Sequence, residues 1–228
     1  TVRAFVQLLA MGLLLVYLFR YQTWWLVGLV LVGMCIAATQ IATGRTKNVM
    51  GGLWADTFAS ITVSSLAISF IVVEGVIHAD PWYNAMQLVP ITGMMLGNTL
   101  SASAVATDRL LASMDSRASE IYTMVALGAT PREAAFPSIK AAVGAGMTPT
   151  LAQLSAAGIV QIPGMMSGQI LAGADPIIAA KYQIVVLLMV SAATTLSIVV
   201  MCFLAYKKRF AAEGYFLDPA LRDDIGSR

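Results

Sequence analysis

The chain has 228 residues, 58% of them hydrophobic and only 11% charged, with a formal net charge of +2. Soluble domains carry about 25% charged residues, so this composition excludes an ordinary soluble enzyme and describes a protein solvated largely by lipid. No nucleic-acid partner is expected.

Six runs have the roughly 20 apolar residues that a membrane crossing needs. They are Val2 to Phe19, Trp24 to Thr43, Trp54 to Ile77, Tyr83 to Thr107, Pro149 to Leu171 and Tyr182 to Tyr206. The expected organisation is an all-α polytopic protein: crossings one to four in 1–107, a polar segment in 108–146, crossings five and six in 147–206 and a tail from 207 to 228. If the first run leads outward, only Arg20 and Lys181 of the 14 Lys and Arg residues fall outside. Basic residues favour the cytoplasmic face, so the 108–146 segment and the C-terminus are expected in the cytoplasm. Trp24, Trp25, Trp82 and Tyr83 then lie at outer span ends, where aromatic belts form.

Within the second and sixth runs, Cys35 and Cys202 lack metal or redox spacing and read as buried thiols. The third run carries a polar stripe. At about 100° per residue, Thr57, Ser60, Ser64, Ala67, Ile71, Glu74 and His78 share roughly one third of the helix circumference. Charged groups in a crossing usually face a bundle interior or a wet cavity. Glu74 and His78, one turn apart at the outer end, could bind a divalent cation or pair with each other.

Between the fourth and fifth runs lies the stretch of regularly spaced charge from Asp108 to Lys140. Ser116 to Leu127 has helical spacing, with Ile121, Met124 and Val125 on one face and Arg117 and Glu120 elsewhere. Gly128 supplies a stop, and Thr130-Pro131-Arg132-Glu133 has the form of a capping box that starts a second helix. Two short helices on a glycine elbow are expected.

In the fifth run, Gly164-Met165-Met166-Ser167-Gly168-Gln169 echoes Gly93-Met94-Met95-Leu96-Gly97-Asn98 of the fourth, and Pro163 and Pro90 stand just upstream. Both copies contain G-x-x-x-G, which lets membrane helices approach closely. Interrupted helices with weak internal repetition are common at transporter sites. The expected pathway lining is Met94, Met95, Asn98, Met165, Met166 and Gln169, with Ser60, Ser64, Glu74 and His78 from the third run. Packing is the competing role of each methionine. The sixth run ends at the basic cluster Lys207-Lys208-Arg209, and no function is read in the tail.

The segment E-I-Y-T-M-V-A-L-G-A-T-P-R-E-A-A, from Glu120 to Ala135, resembles the cytoplasmic coupling segment of ABC transporter permeases, which sits in a groove of a separate ATPase. Together with P-G-M-M-S-G-Q-I-L-A-G at Pro163 to Gly173, it resembles the FetB family. Members are permease subunits of an ABC transporter assigned to iron export, and plant members are associated with aluminium tolerance. The resemblance implies a homodimer in the plasma membrane, the bacterial inner membrane, with a further apolar helix upstream of Thr1. Two cognate ATPases would bind ATP and Mg, leaving this chain without a cofactor. It further implies that Glu120, Arg132, Arg117 and Glu133 form the polar side of the coupling surface, that Ile121 and Val125 pack, and that Gly128 fixes the elbow. Iron, and export as its direction, rest on the resemblance alone.

The chain contains no phosphate-binding loop and no G-x-S-x-G or H-E-x-x-H motif, and it has one histidine, so no enzymatic activity of its own is expected. A lipid or other hydrophobic substrate, or a transmitter role without transport, are the alternatives.

Overall fold

The computed structural model describes residues 2–21, 23–44, 53–77, 82–210 and 215–217. The helices are α1 (Val2–Tyr21), α2 (Trp24–Thr43), α3 (Leu53–Val72) with a π-helical extension (Val73–Ile77), α4 (Ala85–Ser116), α5 (Ala118–Ala126), α6 (Pro131–Ala156), α7 (Gly164–Leu171) and α8 (Pro176–Lys207). Among the described residues there are isolated β-bridges but no strand. The chain is an all-α membrane protein.

Among the described residues, four helices are long and apolar enough to cross a membrane: α2, α3 with the start of its extension (Leu53–Gly75), α4 and α8. The apolar part of α1, Phe5–Tyr21, is shorter. At 1.5 Å per residue the 26-residue α6 is about 39 Å long, but it carries Arg132, Glu133, Lys140 and two internal prolines.

The fifth crossing expected at Pro149 to Leu171 does not form as one helix. Instead α6 runs from Pro131 through Pro137 and Pro149 to Ala156, absorbing much of the polar segment. The chain then breaks at Gly158, whose φ is 79°, and resumes as the eight-residue α7. The physical reason is the small-residue path through α6. A Cβ on Gly146 would stand 2.9 Å from Ala106 Cβ and Ile198 Cδ1 and 3.1 Å from the Ala102 carbonyl, so only glycine lets α4, α6 and α8 meet there. Close neighbours stabilise a helix that its prolines would weaken in isolation.

These three helices form the centre, with α3 against α4 and α8, α2 against α3 and α4, and α7 against the start of α8. Short polar links tie the bundle together. Ser103 and Ser197 hydroxyls are 3.0 Å apart across α4 and α8, and Ser65 and Thr99 hydroxyls 3.1 Å apart across α3 and α4. In hydrocarbon such contacts hold helices together modestly, at about 0.6 kcal/mol on average.

The polar stripe of α3 is divided by this packing. Thr57, Ser60 and Ser64 are buried. Thr57 and Ser60 donate to the Met201 sulfur of α8, at 3.7 and 3.6 Å, and Ser64 donates to the Ser60 carbonyl at 2.5 Å. Ser60 and Ser64 are therefore enclosed within the bundle, their hydroxyls engaged by Met201 and by α3 carbonyls. Ile71 and Glu74 are exposed, Glu74 within the π-helical extension. His78, the other half of the expected cation pair, lies outside the described residues.

Candidate functional site

Two regions collect the residues singled out in the sequence. One is the bend between α5 and α6. Asp115 and Arg117 stand where α4 ends and α5 begins. Arg117 grips Glu120 with two nitrogens, Nε to Oε2 at 2.8 Å and Nη2 to Oε1 at 2.5 Å, and its Nη1 reaches Ser138 Oγ of α6 at 3.2 Å. Ser113 of α4 donates to the same Ser138 oxygen at 3.0 Å. One hydroxyl therefore joins α4, α5 and α6. The hydrogen bond to Glu120 raises the Arg117 pKa, and the same bond holds the Glu120 carboxyl below its ordinary range.

After α5, Gly128 takes φ 95°, the left-handed conformation that glycine adopts most cheaply. Its N–H bonds the Val125 carbonyl, and the Ala129 N–H bonds that of Met124. Thr130 then caps α6. The Glu133 N–H donates to Thr130 Oγ1 at 3.3 Å, and Glu133 Oε2 accepts from the Thr130 N–H at 2.8 Å, so the capping box closes. Bonds from the Thr130 backbone and hydroxyl hold the Glu133 carboxyl below its ordinary 4.5.

A depressed carboxylate stabilises the fold above its ordinary value, and the contribution is lost as pH falls below it. Amide protection across 130–134, corrected for intrinsic exchange, is therefore expected to be flat above about pH 5 and to fall below 4.5. Thr130→Ala should remove about 1 kcal/mol of that protection at neutral pH. Protection unchanged in the variant would show that the cap carries no weight.

The coupling residues expected from the sequence are distributed differently in space. Ile121 is fully buried in the chain's own core, and the half-buried Val125 packs against that core. Arg117 and Glu120 satisfy each other. Arg132 is exposed, with its guanidinium carbon 5.4 Å from the centroid of the Phe203 ring of α8. The apolar group that stands out is one the sequence reading passed over: Leu127, just before the turn, is 83% exposed. Phe136 is also exposed, and with Thr130, Arg132 and Glu133 it lines a recess of about 410 Å³. A leucine at the tip of a glycine turn was the available signal.

The second region is a cavity at the opposite ends of α4 and α8. Met86, Gln87, Pro90, Ile91 and Met94 of α4 face Met165 and Gln169 of α7 and Tyr182 of α8 around about 560 Å³. A neighbouring space of about 290 Å³ shares Ile91, Met165 and Tyr182 and extends to Lys181 and Met189. The spacing explains the lining, since Met86, Pro90 and Met94 follow at i, i+4 and i+8, as do Met165 and Gln169 at i and i+4. Proline at position 90 also denies the Met86 carbonyl its usual N–H partner. Gln87 Oε1 and Gln169 Oε1 are buried without a hydrogen-bond partner. Gln87 and Gln169 with the thioether side chains of Met86, Met94 and Met165 thus line one space, suited by residue type to a soft cation or to groups that hydrogen-bond with amides.

Of the expected pathway residues, Met94, Met165 and Gln169 meet at this cavity. Met95 does not; it is fully buried among α2, α4 and α8 side chains. Asn98 is partly buried and spends its Nδ2 on the Met94 carbonyl at 2.8 Å, while Met166 lies beside the cavity without lining it. Among the described residues no group of three or more His, Cys, Asp or Glu could hold a metal ion, and Glu74 stands apart from the cavity lining.

A Bacillus subtilis protein named UPF0014 membrane protein YjkA is 35% identical over 92% of this chain and 82% of its own length. The Escherichia coli protein named probable iron export permease protein FetB is 34% identical over 90% of this chain and 78% of its own. ALUMINUM SENSITIVE 3 of Arabidopsis thaliana is 29% identical over 91% of this chain and 72% of its own. No solved structure is significantly similar. Residues 1–210 match the uncharacterised protein family UPF0014, and the chain belongs to that family of membrane proteins.

Proposed function

We propose that this chain is the transmembrane permease subunit of an ABC transporter, working as a homodimer that exports iron or a related metal ion under the power of a separate ATPase. The observation that carries the reading is the bend at Gly128: a capped helix-turn-helix that presents Leu127, Arg132 and Phe136 outward while its inner side is anchored to α4, α6 and α8. Such a projection suits a groove on a partner, and the name of the Escherichia coli relative supplies the metal. In this reading α1, α2, α3, α4, α6 and α8 cross the plasma membrane, the bend faces the cytoplasm, and ATP and Mg are bound by the partner. Closure of two ATPases would displace the bends and open the pathway to alternate sides.

The cavity between α4, α7 and α8 is the substrate chamber in this scheme. Its methionines favour a reduced, softer ion over ferric iron. The test is ATP hydrolysis by the permease and its cognate ATPase together in lipid nanodiscs, titrated with ferrous iron, other divalent cations and lipids. Iron is expected to stimulate hydrolysis several-fold, and Met165→Ala with Gln169→Leu should abolish the stimulation while leaving the basal rate. The apolar majority of the cavity lining favours a second reading, a hydrophobic substrate. Stimulation by lipid with indifference to metals would move the substrate to that class.

A further inference from the structure

The residues just after α8 have no part in the coupling scheme above, yet they fold back onto it. The Lys208 amine pairs with Asp56 in the first turn of α3 at 2.5 Å. Arg209, its side chain 3% exposed, pairs with Asp115 at the end of α4. Phe210 and Phe216 form an antiparallel bridge, and the Leu217 N–H bonds the Arg209 carbonyl at 2.9 Å. The phenyl ring of Phe216 is thereby driven inside, to 1% exposure. A bulky aromatic outside the helices becomes buried only if the structure makes a place for it.

That place is the base of the α5–α6 bend. Tyr122 of α5 meets Phe216 edge-to-face at 5.5 Å, Phe216 meets Phe210 at 5.4 Å, Phe210 meets Tyr206 at 6.4 Å, and Tyr206 meets Phe203 at 5.8 Å. Phe203 in turn lies under the guanidinium of Arg132, in the first turn of α6. The series starts on one arm of the bend, crosses the post-α8 turn and the inner end of α8, and returns to the other arm. All five ring-to-ring and ring-to-cation steps fall within the range at which aromatic and cation–π contacts attract.

We infer that the turn after α8 is a second anchor of the bend, in which Arg209, Phe210 and Phe216 are positioning residues that make α8 and α3 move with α5. Without it, α5 is joined to α8 mainly through α4, α6 and the core they share with α8. With it a push on Leu127 and its neighbours has a second, more direct route from α5 to α8, whose other end carries Tyr182 and Met189 of the cavity wall. Packed side chains and ion pairs carry such coupling when they join rigid elements. The role in transport rests on the permease reading; the anchor itself does not.

The experiment therefore has two arms. In the first, amide exchange is measured on the full chain alone in lipid nanodiscs, with Phe216→Ala and the size-conserving Phe216→Leu. Exchange across 118–126 should accelerate about tenfold or more in the alanine variant and less in the leucine variant, as an opened local contact allows. Unchanged exchange in both overturns the anchor. In the second, the same variants with the cognate ATPase in proteoliposomes should keep hydrolysing ATP while metal moved per ATP falls by about fivefold. Faster exchange with an unchanged ratio overturns the transmission. A wild-type complex that neither assembles nor transports refutes the permease reading and leaves the exchange result standing.

Discussion

Gly146→Leu is expected to prevent α4, α6 and α8 from packing, giving protein that aggregates when extracted from the membrane. Gly146→Ala, a milder change, should still lower stability by about 1–3 kcal/mol, the usual cost of forcing a methyl into a filled core. The added Cβ would meet Ala106 Cβ and Ile198 Cδ1 at 2.9 Å and the Ala102 carbonyl at 3.1 Å. Ile198 Cδ1 can swing aside, but the Ala102 oxygen belongs to a helix backbone and cannot. Gly144, two residues earlier, has open space where its Cβ would go, so Gly144→Ala should be neutral or gain up to about 1 kcal/mol from helix propensity. Thermal unfolding of the three variants in one detergent decides the matter. Equal midpoints for Gly146→Ala and Gly144→Ala would show that the three-helix contact is looser than described.

Gly128 reverses the case, because nothing stands within 4 Å of its would-be Cβ and only the backbone conformation restricts it. At φ 95° a β-branched residue is strained by about 1–2 kcal/mol, whereas asparagine tolerates neighbouring left-handed conformations. Gly128→Val should therefore shift the turn away from its bent form without disturbing the core. In proteoliposomes with the cognate ATPase, the expected outcome is ATP hydrolysis near the wild-type rate with transport reduced by about tenfold. Gly128→Asn should stay within about twofold of wild type. If the valine variant transports as many ions per ATP as the parent, the bend does not need its left-handed turn.

Features set by a few neighbouring residues were legible in the sequence. The capping box at Thr130 and Glu133 and the start of α2 at Trp24 follow from local chemistry, whereas α8 starts at Pro176, six residues before the expected Tyr182. The extent of α6 was not legible, because Pro149 reads as a helix start and only contact with α4 and α8 reveals that the helix passes through it. The α3 stripe grouped Thr57, Ser60 and Ser64 on one buried face but wrongly joined the exposed Ile71 and Glu74 to them, and hydroxyls look alike whether they meet water or a methionine sulfur. Ile121 appeared amphipathic in the right place, yet burial by Met114, Ala134 and the other core residues depended on how α5 folds under the bundle. The cavity drew Met94, Met165 and Gln169 from the expected set and added Gln87 and Tyr182, which carry no sequence signal for one another.

The lengths of α4 and α8 have a mechanical meaning. Each has 32 residues, about 48 Å of helix against a hydrocarbon layer of about 30 Å. Each therefore reaches well past the lipid, with the bend or its anchor at one end and the methionine cavity at the other. A tilt of about 10° around the midpoint would carry the two tips some 4 Å in opposite directions, enough to make or break side-chain contacts at both. In the proposed transport cycle these two helices would act as levers about the Ser103–Ser197 and Gly146 crossing, where small residues bring them close.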